Sequence, residues 1–189
     1  MKNLKTIALA LLVTFSAATV TAQTKKVDVA NSKLQWVGKK VTGQHEGTVA
    51  LKEGTLTFKN KKLTGGTFTV DMNSIEVTDI KAGQGKEKLE GHLKADDFFG
   101  TDKNKTAKLD FKTITPKGKN VYTVKADLTI KDKTNPVTFD ITVNGNKATT
   151  ALKIDRTKYD IKYGSGSFFD NLGDKAINDN FDLTVALQF

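Results

Sequence analysis

From Asn120 the chain reads NVYTVKADLTIK, with Tyr122, Val124, Ala126, Leu128 and Ile130 on one face and Thr123, Lys125, Asp127, Thr129 and Lys131 on the other. That period of two is the pattern of a half-buried strand. The next apolar run, VTFDITV, repeats it with Val137, Phe139, Ile141 and Val143 inward, and KDKTNP between the two supplies a turn, with Pro136 expected where the strand begins. The same alternation marks Val49 and Leu51, Leu56 and Phe58, Phe68 to Met72, Leu109 and Phe111, Leu152 and Ile154, and the closing run from Phe181 to Phe189. With an opening strand around Leu34–Val41, the pattern predicts about eight strands.

The links between these runs are short and rich in Gly, Asn and Lys, as in KEG, NKKLTGG and NGNK, which favours antiparallel neighbours. Eight antiparallel strands with one apolar face can close into a barrel or split into a sandwich. Closure removes exposed edges, and the runs are long for an immunoglobulin-like sandwich, so the expectation is a barrel. Such a barrel either fills its interior with side chains or holds one small elongated ligand.

One stretch breaks the alternation. Between Met72 and Lys108 no useful strand pattern is evident, and QGKEKLEGHLKADDFF sets Leu89 and Leu93 four apart on one helical face beside His92. A short helix, weakened by Gly91, is expected over one end of the barrel. Phe98 and Phe99 would then plug that end or wall a tunnel.

The first residues change the picture of where the protein works. Lys2 and Lys5 precede an apolar core from Ile7 to Val13 and a small-residue exit at Val20-Thr21-Ala22. These are the parts of a secretory signal peptide over residues 1–22, with a mature chain from Gln23; an uncleaved anchor is the rival reading. Removing the leader leaves 167 of the 189 residues, enough for one domain at residues 23–189 without disulfides, and the chain has no Cys.

Loss of Lys2 and Lys5 lowers the net charge from +9 by two, to +7. Arg156 is the only arginine, and the lysines are scattered along the strands, unlike the clustered Arg and Lys of nucleic-acid readers. A solvated surface that blunts strand edges accounts for them, with weak attraction to anionic lipid or an acidic envelope polymer as the alternative.

Catalytic patterns are scarce. With two histidines and no Cys, thiol nucleophiles and Cys-containing zinc sets are excluded. GSGSF at Gly164–Phe168 has neither the spacing of a nucleophile elbow nor that of a phosphate-binding loop. Acid–base chemistry would need His45 or His92 within reach of a carboxylate inside a pocket. No cofactor, metal ligand set or enzymatic role is expected. A lipid carrier needs no such motif, because burying an apolar tail is non-directional and a wall of Leu, Ile, Val and Phe suffices.

GHLKADDFFG at residues 91–100 resembles the His-Leu-Lys-Ser-x-x-Phe-Phe signature of the YceI-like family of exported polyisoprenoid-binding proteins. WVGKKVTGQHEGTVALKEGTL, ADLTIKDKTNPVTFDI and IDRTKYDIKYGSGSFFDNLGDKAINDNFDL agree with it in order, covering most of residues 33–189. The resemblance implies an all-β fold, an extended antiparallel eight-stranded lipocalin-like β-barrel with a short helical cap. It further implies a periplasmic location, no catalysis, and a tunnel for a long isoprenoid chain such as a polyprenyl phosphate, a quinone tail or a related amphiphile. A transient membrane contact and a homodimer are compatible with it.

Carried onto this chain, the signature puts Leu89, Leu93, Phe98 and Phe99 over the tunnel and His92 near its mouth. Arg156 would clamp a phosphate or carbonyl head, or else pair with Asp155 or Asp160. Trp36, Tyr159, Tyr163, Phe168 and Phe169 would line the chain-binding wall, or serve as plain core. Ala95 departs from the family's usual hydroxyl residue and removes an expected helix N-cap; Lys133 and the absence of a proline in KNKTAKLDF are smaller departures. The competing function is a filled-core interaction barrel that binds an acidic envelope polymer through its lysine-rich outside.

Overall fold

The computed structural model describes residues 21–189, and all but the last two residues of the expected signal peptide lie outside that range. A meander of long strands makes up most of it: β1 (Gln23–Lys26), β2 (Lys33–Lys40), β3 (Gly43–Lys59), β4 (Lys62–Val77), β5 (Thr106–Gly118), β6 (Val121–Ile130), β7 (Lys133–Asn144), β8 (Lys147–Asp155) and β9 (Ile177–Gln188). Each of β2 to β9 pairs antiparallel with its neighbour in sequence, and β9 returns to β2, closing an eight-stranded barrel. The expected barrel is therefore the fold, with β1 as an addition to it. β2 pairs with β3 only as far as Gln35↔Thr48, and β1 takes up the far part of the same edge, from Gln23↔Phe58 to Lys26↔Thr55.

Several boundaries differ from the pattern-based reading, each for a local reason. The Val49 and Leu51 run and the Leu56 and Phe58 run are one strand, and KEG is a bulge within it rather than a link. The slip in register between Leu51 and Glu53 moves the inward side from odd to even positions, which is how both runs bury on the same face. Pro136 lies inside β7, paired opposite Asp127, rather than at its start. It is tolerated because β8 meets β7 only from Ile141 onward, so that stretch of β7 has a free edge. The turn before β7 is Lys131-Asp132, both with positive φ, as at Asn60-Lys61 between β3 and β4; these are the backbone angles of tight hairpins.

Among the described residues a single α-helix, α1 (Lys86–Lys94), forms where the helical spacing predicted it and packs beside β4, which itself runs on to Val77. Ala95 closes α1 as its C-cap instead of opening a helix as an N-cap, and its carbonyl accepts from the amides of Phe98 at 3.0 Å and Gly100 at 2.8 Å. That turn swings Phe98 and Phe99 back over the barrel end. The opposite end is packed solid around Leu56 and Val124, both fully buried, and Ile141, with Phe58 stacked on Phe189 at 5.6 Å.

Candidate functional site

The end of the barrel under α1 opens to solvent through a pocket of about 580 Å³ whose wall includes Trp36, Lys39, Lys40, His45, Lys88, Leu89, His92, Leu93, Phe98 and Tyr163. Below it lies an inner cavity of about 140 Å³, which shares Trp36, Gly38, Leu93, Phe98 and Ile177 with the mouth. Deeper still is a cavity of about 70 Å³, sharing Leu34, Val70, Ala107, Leu128, Ile154 and Leu183 with the inner one. These shared walls align the three along the barrel axis, from an open mouth to a blind floor. The inner and deep walls are overwhelmingly hydrocarbon, because inward positions of all eight strands carry Leu, Ile, Val, Met or Phe.

The predicted site residues divide accordingly. Leu89 and His92 sit in the mouth, Trp36, Leu93 and Phe98 line both mouth and inner cavity, and Phe99 lines the inner cavity. Phe98 is buried and meets Phe99 edge-on at 5.3 Å; Phe99 in turn meets Phe181 at 6.3 Å. Tyr163 reaches the mouth and packs edge-on against His92 at 4.4 Å. Tyr159 is fully buried in the general core, outside the cavities. Phe168 and Phe169 are half-exposed at 50% each and line none of the three cavities, so the structure does not bring them to the tunnel wall.

Arg156 is 2% exposed and borders the inner cavity, yet its donors serve the protein. Nε donates to the Asn178 carbonyl at 3.1 Å, and the two terminal nitrogens donate to the carbonyls of Ile161 at 2.8 Å and Ile177 at 3.0 Å. The acid that faces it is Asp179, 3.7 Å away, rather than Asp155 or Asp160. Burial pushes the guanidinium down from its ordinary pKa, against the pull of Asp179 and then Asp155. Asp179 keeps one carboxylate oxygen buried without a hydrogen bond while the other accepts from Ser167 at 2.5 Å. Arg156 thus ties the start of β9 to the 3-10 turn Arg156–Tyr159 and roofs Phe98, whose ring centre is 5.7 Å from the guanidinium carbon.

The mouth has features that the sequence did not single out. Lys39, Lys40 and Lys88 stand with the two histidines around it, and among the described residues no acidic side chain lines it. Strand alternation hid this grouping, because two of the lysines come from β2 and the third from α1. His45 donates to or accepts from Asp79 across 2.9 Å, the His–carboxylate contact that acid–base chemistry would require. Burial opposes the Asp79 carboxylate, but the hydrogen bond from His45 and backbone donors hold its pKa below the usual value. His92 has no such partner: its buried Nε2 makes no hydrogen bond, and the nearest carboxylate, Asp97, is 4.0 Å away. Among the described residues no three His, Asp or Glu side chains gather as a metal-ligating group.

The model of the YceI-like domain matches residues 25–189. The chain belongs to the YceI-like family. A crystal structure of BcnA from Burkholderia cenocepacia is similar over 85% of this chain and 98% of its own, with TM-score 0.67 and 25% identity. A polyisoprenoid binding domain from Saccharophagus degradans, implicated in plant cell wall breakdown, shares the fold at TM-score 0.56 and 14% identity over 89% of this chain and 97% of that one. The YCEI protein of Campylobacter jejuni does so at TM-score 0.55 and 13% identity, over 100% and 98%. A curated UPF0312 protein of Staphylococcus epidermidis is 42% identical over 59 residues, 31% of this chain; the match spans 32% of that relative's length.

Proposed function

We propose that this YceI-like barrel is an exported, non-catalytic carrier that holds an isoprenoid lipid by its tail, with an anionic head such as a phosphate at the mouth. One observation carries the reading: a cation-lined mouth opens, through a wall shared at Trp36, Leu93 and Phe98, onto an apolar cavity that ends blind. An amphiphile fits that gradient, since the tail gains about 0.8 kcal/mol per CH₂ buried and the head stays hydrated beside Lys39, Lys40 and Lys88. The polyisoprenoid-binding domain of the same fold from Saccharophagus degradans supports the isoprenoid choice, and the leader-like residues 1–22 support export to the periplasm. Loading and release would bring the mouth to a membrane, where the exposed Phe168, Phe169 and Val41 are apolar groups near that end.

The enclosed volume bears on how the tail sits. A cavity of about 150 Å³ holds one benzene-sized molecule, so the inner 140 Å³ takes roughly one isoprene unit as it stands. A longer tail needs the wall to widen, and two seams are short: β4 and β5 pair only from Thr67↔Asp110 to Asp71↔Thr106, and β7 and β8 only from Ile141↔Thr150 to Asn144↔Lys147.

Mass spectrometry of organic extracts from exported protein, with native mass of the intact complex, tests the proposal. A stoichiometric prenyl species is the expected result; protein that is reproducibly empty and takes up no added prenyl lipid returns the filled-core interaction barrel. The His45–Asp79 contact is the one observation that favours a second reading, acid–base catalysis at the mouth. His45→Ala separates the two: a carrier keeps its cargo, whereas an enzyme accumulates unconverted substrate.

A further inference from the structure

Three rings from three strands form the floor of the deep cavity. Phe111 of β5 lies between Phe68 of β4, 5.5 Å away, and Phe139 of β7, 5.8 Å away. Phe68 and Phe139 are buried at 8% and 7%, fixed by their surroundings, while Phe111 is only partly buried. It stands where pairing with β4 has just stopped, at Asp110, and where β5 slips register against β6 between Phe111 and Thr113. Phe111 is thus the ring of the three that sits at an unpaired seam.

Its position depends on a missing side chain across that seam. A β-carbon on Gly66 would come within 2.8 Å of both Cδ2 and Cε2 of Phe111 and 3.2 Å of a Leu56 methyl. The ring therefore rests against the β4 backbone, and anything larger than hydrogen at position 66 pushes it toward the lumen. Immediately beyond, Leu56 and Val124 are fully buried and leave no continuation of the tunnel.

We infer that Phe111, seated on Gly66, is the stop that sets how long a tail the tunnel accepts. The inference rests on the proposed lipid-binding function and adds to it the residue that measures the tail. In this arrangement each isoprene unit added to a tail strengthens binding by roughly tenfold or more until its end meets the Phe111 ring. Units beyond that contribute nothing, because they remain in water or crowd the mouth. Removing the ring leaves a space of about the size that holds one further unit.

Two substitutions move this plateau in opposite directions, which a merely structural role would not do. Affinities for geranyl, farnesyl and geranylgeranyl phosphate, which differ by one isoprene unit at each step, and the chain lengths extracted from exported protein, are measured for the wild type, Phe111→Ala and Gly66→Ala. Phe111→Ala is expected to shift the plateau and the extracted cargo to longer chains, and Gly66→Ala to shorter ones. Phe111→Leu, a smaller change, replaces Phe111→Ala if the latter does not fold, and should shift the plateau the same way by less. Loaded variants whose plateau and cargo match the wild type overturn the inference and leave the carrier reading standing. A wild type that binds none of the three phosphates overturns the carrier reading itself, and this inference with it.

Discussion

The indole of Trp36 occupies the space where Gly47 has no side chain. A β-carbon at Gly47 would lie 2.5 Å from one indole carbon and 1.9 Å from the Glu76 carbonyl oxygen, so β2, β3 and β4 meet here at a spacing only glycine permits. The contact positions the one residue that lines both mouth and inner cavity from β2 with an aromatic face, and the indole N–H is satisfied by the Thr48 carbonyl at 3.2 Å. Gly47→Ala should destabilise the barrel by at least about 2 kcal/mol through overpacking and backbone displacement. Trp36 is the only tryptophan, so its fluorescence reports the change directly. An unchanged emission spectrum and an unchanged denaturation midpoint would show that position 47 has room for a side chain and that the indole does not depend on its absence.

Phe98 and Phe99 stand where the mouth meets the inner cavity. Phe98 belongs to both walls and is held by His92, Phe99 and Arg156, while Phe99 is braced by Phe181. Replacing both with Leu keeps the surface apolar and mostly filled, costing about 1–3 kcal/mol. The expected outcome is a folded protein that releases a bound prenyl lipid at least about tenfold faster, a barrier change of roughly 1.4 kcal/mol. Stopped-flow release into acceptor vesicles measures it; equal release rates would remove these rings from the gate.

Arg156 is a structural tie whose loss reaches the site indirectly. Its three carbonyl partners belong to Ile161, Ile177 and Asn178, so it fixes both ends of the 164–176 loop, whose Gly164 carbonyl accepts from Ile177 at 2.8 Å. Arg156→Lys retains the charge but cannot reach three divergent acceptors, and leaves buried carbonyls without donors and the Asp179 carboxylate without its guanidinium. A loss of about 3 kcal/mol is expected. Limited proteolysis should then cut within 164–176 before the barrel, and preferential cutting elsewhere would contradict the role.

The barrel itself was legible because alternation is a direct consequence of strand geometry and most inward positions follow it. What the alternation concealed is equally physical. The change of inward parity between Leu51 and Leu56 is the mark of a bulge, and it reads as two strands unless that slip is noticed. Tyr159, Phe168 and Phe169 look alike as aromatics in one segment, but the 3-10 turn buries the first while the loop beyond carries the other two outward. Nor does a tunnel wall differ in sequence from a filled core: Leu34 and Leu56 have the same pattern, yet only the first borders a cavity. Helical spacing brought His92, Leu93 and Phe98 together over one end of the barrel, and the family resemblance added that this end is the mouth of a tunnel.

Burial of the Tyr159 phenol, assisted by the nearby Asp155 charge, pushes its pKa from 10.0 up to about 12. The unfolded chain therefore loses this proton first as pH rises. Stability from this group is fully present below about pH 10 and falls away between pH 10 and 12, by on the order of 2–3 kcal/mol. Tyr159→Phe should flatten that alkaline limb relative to the wild type, as followed by denaturant midpoints across the range. Parallel limbs in the two proteins would assign the alkaline loss to other groups.

The lysines of the mouth make a separable contribution, because head and tail of an amphiphile are bound by different forces. Lys39 is already paired with Asp182 at 2.7 Å, whereas Lys40 and Lys88 form none of the ion pairs seen among the described residues. Both are solvent-exposed, so each can add only about 0.2–1 kcal/mol toward a phosphate, and salt screens that part within about 10 Å at 0.1 M. Lys40→Ala combined with Lys88→Ala should weaken binding of a prenyl phosphate a few-fold at low salt and hardly at all at high salt. The corresponding prenyl alcohol, with the same tail and no charge, should bind both proteins equally at either salt concentration. If the alcohol weakens as much as the phosphate, the lysines act on the shape of the mouth and not on the head; if binding of the phosphate collapses with salt in the wild type, attraction to the surface rather than burial of the tail holds the ligand.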